Sequence, residues 1–194
     1  MNFAKCYFVP NKDSISEGYE LGQELIIANI ETEKIKSVIK DFIANVQFPI
    51  FFFIETPCTL QEERLVADEN KSHKDVYYLD YCPKEFAEEI LTNDLDILLN
   101  CGMCEFGFGS CNRDEIYICR YNIVRFYSEN IQKYQTLLTN NHIDQKGDLI
   151  TAWDVIDQDN PAETSLIKID GKDYRDLMPK YFKNGMYLYP KLID

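Results

Sequence analysis

Cys101-Gly-Met-Cys-Glu-Phe-Gly-Phe-Gly-Ser-Cys111, continued by Asn112-Arg-Asp-Glu-Ile-Tyr-Ile-Cys-Arg-Tyr121 and Asn122-Ile-Val-Arg-Phe-Tyr127, is the stretch on which the reading of this chain turns. Apolar residues at Phe106 and Phe108, then at Ile116, Ile118, Ile123 and Phe126, fall in short period-2 runs, with a Gly/Ser/Asn/Arg/Asp break at 109–114. That pattern predicts a β-hairpin. Gly107 and Gly109 lack a Cβ, so a neighbouring backbone or a partner can approach them closely. Helical patterns flank the hairpin in sequence, which puts it at the centre of a sheet on which the rest packs.

Outward from the hairpin, the clearest element is Ile35, Val38, Ile39, Phe42 and Ile43, whose spacing gives a one-sided amphipathic helix with Thr32 as its N-cap. Before it, Ala4 to Val9 reads as a short strand, 11–23 as a polar loop and Glu24 to Ile30 as a strand. After it, Phe48 to Glu55 is apolar on both faces, as expected of a strand covered on both sides, and Pro57 ends it. The charged stretch 58–74, with Glu62, Glu63, Arg64, Asp68 and Glu69, reads as a loop or a short surface helix. Asp75 to Asp80 has strand composition. Pro83 at the first helical position opens a helix to Leu91, Asn93 caps a further turn or two, and Gly102 stops it.

Beyond the hairpin, Ser128 caps a helix carrying Ile131, Tyr134, Leu137 and Leu138. Leu149 to Ile156 reads as a strand. Asp170-Gly171 marks a tight turn, Tyr174 to Phe182 a helix despite Pro179, and Met186 to Tyr189 a closing strand. No repeat or low-complexity linker interrupts 1–194. The fold class this implies is α+β, a single domain with a mixed, mostly antiparallel sheet and packed helices.

Composition narrows the function. With 45% hydrophobic residues, 12 Phe and 13 Tyr, the chain has the apolar area to fold. Its 33 Asp and Glu against 20 Lys and Arg give a formal net charge of −13. Nucleic acids and anionic membranes are gripped by basic patches, so neither is an expected partner, and a basic protein surface fits better. Acidity is equally what keeps many intracellular proteins soluble. No apolar run approaches the roughly 20 residues of a membrane span, and the start lacks a signal peptide's apolar core, so a cytoplasmic protein is expected. There the seven cysteines are thiols rather than disulfides.

Those cysteines are the sharpest local motif. Cys101 and Cys104 form a C-x2-C, and Cys111 and Cys119 follow within one hairpin, so four thiolates could close a tetrahedral zinc site. The second pair lacks knuckle spacing, and plain thiols in core or surface are the stronger reading. A redox pair would open a helix, whereas this one follows a helix's end. His73 and His142 lie in polar stretches without a nucleophile elbow, and no phosphate-binding loop occurs. Asp154, Asp157 and Asp159 resemble the opening of a calcium loop but lack its glycine and its last acid. A carboxylate pair of the hydrolase type stays open on counting alone. What remains is a recognition surface in which tyrosines and Trp153 stand beside acids, as in protein interfaces. The candidate partner-binding residues are Glu105, Asp114, Glu115, Tyr117, Tyr121, Trp153, Asp154 and Asp157; the alternative metal set is Cys101, Cys104, Cys111 and Cys119.

A series of segments also resembles a known class. Phe51-Phe-Phe-Ile-Glu-Thr-Pro57, Asp75-Val-Tyr-Tyr-Leu-Asp80, Leu98-Leu-Asn-Cys-Gly102 leading into Phe106-Gly-Phe-Gly109, Asp114-Glu-Ile116, Tyr121-Asn122, and Thr151-Ala-Trp-Asp154 followed by Asn160-Pro161 resemble small acidic immunity proteins. Those accompany bacterial polymorphic or contact-dependent toxins. The resemblance covers roughly 48–161 and rests on structural motifs. It implies a cytoplasmic antidote, not an enzyme, that binds and blocks a cognate toxin domain without a cofactor.

Overall fold

A computed structural model of the chain describes residues 1–58 and 74–189. The stretch expected as a loop or surface helix, 58–74, therefore lies outside the described residues except for its two ends, and His73 lies outside with it.

The predicted hairpin is β6 (Glu105–Ser110) and β7 (Glu115–Ile118), and it does occupy the middle of the molecule. The other strands are β1 (Tyr7–Phe8), β2 (Gly18–Leu21), β3 (Leu25–Asn29), β4 (Ile50–Pro57), β5 (Lys74–Cys82), β8 (Ile123–Tyr127), β9 (Glu163–Thr164) and β10 (Tyr187–Leu188). Eight of the ten form one sheet in the order β10-β5-β4-β6-β7-β8-β3-β2, and every strand pair in it is antiparallel. The parallel contact is an isolated bridge between Tyr19 and Gln145. β1 and β9 pair separately.

The chain lays the sheet from both flanks inward. β2 and β3 form one flank, and α1 (Thr32–Asn45) then crosses to β4 and β5 on the other. α2 (Lys84–Glu89) runs through a π-helical turn (Ile90–Asp94) into α3 (Leu95–Leu99) and returns the chain to β6. The β6-β7-β8 meander closes the gap. The last helices are α4 (Gln132–Asn140) and α5 (Tyr174–Lys183).

All these helices lie on one face. Phe42 of α1 and Tyr134 of α4 pack on Phe126 of β8, with ring centroids 6.4 and 5.1 Å away. At the other end, Tyr181 of α5 meets Phe52 of β4 at 5.3 Å and Phe86 of α2 at 6.2 Å. The two helical groups are tied by polar contacts as well. The Tyr181 hydroxyl donates to Asp94 Oδ2 at 3.0 Å, and Lys180 pairs with Asp94 and, at 3.2 Å, with Glu89. Asp94 supplies this contact from inside the π turn, so the helix expected to restart at Asn93 runs on instead.

Other expectations need correction. Leu149–Ile156 is not a strand: Asp154 takes hydrogen bonds from both the Thr151 N–H and its hydroxyl, and this capping box folds Ala152–Asp154 into a 3-10 turn. The polar stretch 11–23 contains strand β2, while the first strand shrinks to Tyr7–Phe8. Helix α1 begins at Thr32 with Glu31 in the capping position; Thr32 Oγ1 instead donates to the Asn2 carbonyl at 3.2 Å and accepts from Asn122. Pro83 stands one place earlier than expected, with extended backbone.

Candidate interaction surface

The sheet face away from the helices is built in rows by the strand register. One row runs Tyr187, Tyr78, Phe53, Gly107, Tyr117, Arg125, Ile27 and Glu20 from β10 across to β2. The next runs Phe51, Gly109, Glu115, Tyr127 and Leu25. A third holds Val76, Glu55 and Glu105. Past it, Asn29 and Ile123 are buried by a small second layer made of Val9, Ile15, Tyr121 and Ala152. Asn29 Nδ2 donates to the carbonyls of Ile150 at 2.7 Å and Ser16 at 3.2 Å, which fixes that layer to the sheet.

The two glycines of β6 receive rings from β4. A Cβ on Gly107 would stand 2.5 Å from Phe53 Cε1, and one on Gly109 would stand 2.1 Å from Phe51 Cζ. What approaches these glycines is thus the side chains of β4 and, at Gly107, also the Ile116 carbonyl of β7. Phe51 and Phe53 lie across β6 and join an aromatic band: Phe53 is 5.6 Å from Tyr78 and 5.2 Å from Tyr117, and Tyr78 is 5.2 Å from Tyr189. Phe53 is buried, while Phe51, Tyr78, Tyr117 and Tyr127 are half-buried and Tyr187 and Tyr189 exposed. No helix among the described residues covers this band.

Two acids on the face have opposite environments. Glu105 is 6% exposed and saturated with donors: the Arg120 N–H reaches Oε1 at 3.1 Å, the Tyr117 hydroxyl reaches Oε2 at 3.1 Å, and Lys74 pairs with the same Oε2. Lys74 also reaches Glu55 at 3.0 Å. Burial alone would raise the Glu105 pKa, but Lys74 and Arg120 outweigh it and hold the carboxyl below its ordinary value. Glu115 is half-buried, and burial pushes its pKa up with no donor or cation among the described residues opposing it. Its charge, after burial, raises the Tyr78 phenol as well. The Nε of Arg125 is buried without a hydrogen-bond partner among the described residues.

The remaining candidates scatter around this surface. Tyr121 is buried between Tyr7, 5.1 Å away, and Trp153, 5.0 Å away. Trp153 is 46% exposed, with the Arg120 guanidinium 5.7 Å from its ring centre. Asp154 serves the capping box, and Asp157 accepts hydrogen bonds from Asp159 and Asn160; those bonds hold both carboxyls below the usual range. Asp114 sits at the opposite end of the β6-β7 hairpin and is buried, accepting the Ser128 hydroxyl at 2.7 Å and pairing with Lys133 at 2.5 Å. Of the eight, Glu115 and Tyr117 share the open band directly and Glu105 anchors its edge. Phe51, Phe53, Tyr78 and Tyr127 complete it. Their common facing follows from period-2 parity once the register is known.

The four cysteines of the alternative metal set do not converge. Cys101 and Cys104 are buried with Sγ atoms 3.2 Å apart, whereas Cys111 is exposed at the hairpin turn, at the far end of β6 and β7 from them. Among the described residues no group of three or more His, Cys, Asp or Glu side chains is placed to hold a metal ion. Burial pushes the Cys119 thiol up to about 12, which leaves little thiolate near neutral pH. Cavities of about 10, 340 and 490 Å³ line the N-terminal segment and the α1-α4 groove, and none of the three has two carboxylates on its wall. No helix among the described residues is long and apolar enough to cross a membrane. Compared with family models, with curated proteins and with solved structures, the chain matches none, and the surface is read from its own residues alone.

Proposed function

We propose that this chain is a cytoplasmic immunity protein that neutralises a cognate bacterial toxin domain by binding it, without turning over a substrate. The observation that carries the reading is a sheet face that no helix among the described residues covers, where an aromatic band contains a carboxylate that no described residue satisfies. Interfaces concentrate Tyr and other rings at their centre because these bury large areas while losing few rotamers. The net charge of −13 adds attraction to a basic partner and speeds encounter. The resemblance to acidic immunity proteins supplies the class of partner.

The test is to co-express the chain with the toxin domain encoded immediately upstream. A complex that survives gel filtration and abolishes toxin activity is expected. Neighbouring genes without a toxin, or a toxin that keeps its activity in excess of this protein, would overturn the reading.

A further inference from the structure

Glu115 lies in the outer row of the open face nearest the β6-β7 turn, between Gly109 and Tyr127. Because Gly109 has no side chain, the Phe51 ring occupies the space above it and reaches across β6 toward Glu115. Tyr78 is near enough to feel its charge. Glu115 therefore has Tyr127 opposite it on one side and, across Gly109 on the other, the Phe51 ring, itself 6.0 Å from Tyr78, and it is partly withdrawn from water. It makes no ion pair with Arg125, which stands diagonally from it on β8.

A carboxylate in that position costs folding free energy, because the water it loses is not replaced by donors. Glu105, two rows away, shows what the same sheet does when an acid is to be satisfied internally: three donors converge on it. At Glu115 none from a described residue does. An external cation is what recovers the lost solvation. An ammonium head is compact and strongly hydrated, whereas a guanidinium is planar, weakly hydrated, stacks on rings and gives two parallel N–H donors to a carboxylate.

We propose that Glu115, walled by Phe51, Tyr127 and Tyr78, is the receptor for an arginine side chain presented by the protein partner. The rings flank the guanidinium and its stem, and the carboxylate takes its donors. This site rests on the proposed use of the open face for binding a basic protein and adds to it the chemistry of one anchoring contact.

The test uses the full chain and four short peptides, Ac-Gly-Val-Xaa-Val-Gly-NH2, in which Xaa is arginine, lysine, citrulline or norleucine, followed by NMR. The arginine peptide should move the Glu115 carboxyl carbon and the ring signals of Phe51 and Tyr127. Citrulline, which keeps the shape without the charge, should bind roughly tenfold more weakly, and lysine should fall between them. Glu115→Gln should bring arginine down to the citrulline level, while Glu85→Gln on the exposed surface of α2 should change nothing. Equal binding of citrulline and arginine, or arginine shifts that spread over the acidic surface and survive Glu115→Gln, would overturn the site. The two readings fail separately. If a toxin is neutralised and Glu115→Gln leaves its Kd unchanged, the anchor falls and neutralisation stands; if arginine seats at Glu115 but no toxin is bound, the anchor stands alone.

Discussion

Phe52 and Phe53 are adjacent in sequence and belong to different worlds. Phe52 points into the helix layer, where Phe108 and Tyr181 meet it at 4.9 and 5.3 Å. Phe53 points the other way and lies flat over Gly107, between Tyr78 and Tyr117. On the first face, whole helices bury the sheet. On the second, the sheet covers itself, with rings from β4 filling the gap left by two glycines, and no helix among the described residues adds to that cover. The difference separates two uses of apolar area. One is consumed by folding, and the other is held flat at the surface, where a partner can complete its burial.

The largest test of that contrast is a pair of truncations. Phe108 is 0% exposed under the helices, and Phe108→Ala should lose about 3–5 kcal/mol of unfolding free energy through lost transfer and a cavity. Phe51 is half-buried and leaves no closed cavity when removed, so Phe51→Ala should lose only about 1–2 kcal/mol. Urea unfolding of both variants measures this. Equal losses would mean that the open face is as much core as the other.

A smaller effect separates the two acids. Glu105→Gln removes the charge on which Lys74, Arg120 and Tyr117 converge, and about 1–3 kcal/mol should be lost at neutral pH, discounted because Lys74 is 29% exposed and keeps Glu55. The pH dependence has a definite sign. The folded-state pKa of Glu105 is depressed, so its contribution is complete above the unfolded value of about 4.3 and is lost as pH falls through the lower folded value. Wild type and Glu105→Gln should therefore differ most near neutrality and draw together in stability as pH falls below the unfolded value.

How much of this was visible in the sequence follows the range of the interactions. The hairpin at 105–118, α1, α4 and α5 depend on local periodicity, and their patterns announce them, although the caps expected at Thr32 and Ser128 fall elsewhere: Glu31 and Ile131 take the capping positions. Apolarity on both faces of β4 was also legible, although it gives no hint that glycines on the next strand provide the second cover. β2 was missed because Gly-Tyr-Glu-Leu is four residues long and framed by polar sequence. The β7-β8 turn was equally hidden: Tyr121 and Asn122 both adopt left-handed backbone, φ 60 and 61, where a glycine-containing pair is the usual signal. Long-range pairings were invisible altogether. Nothing local to Glu105 tells that Lys74 will satisfy it, and nothing local to Glu115 tells that no described residue will.

The smallest predicted change in stability concerns Glu115 and runs opposite to the usual one. Its folded pKa is raised because burial disfavours the charge, so the ionised side chain weakens the free protein above that value, and the penalty disappears as pH falls until both states are protonated. Glu115→Gln should thus raise the thermal midpoint slightly at neutral pH, with the advantage shrinking to nothing under acid. Parallel thermal melts from neutral to acidic pH would read it. A residue that lowers the stability of the free chain while adding to its grip on a basic partner is one that binding, and not folding, has placed there. If Glu115→Gln instead melts earlier at neutral pH, the carboxylate has a structural partner, and the contrast between the two faces is weaker than the geometry implies.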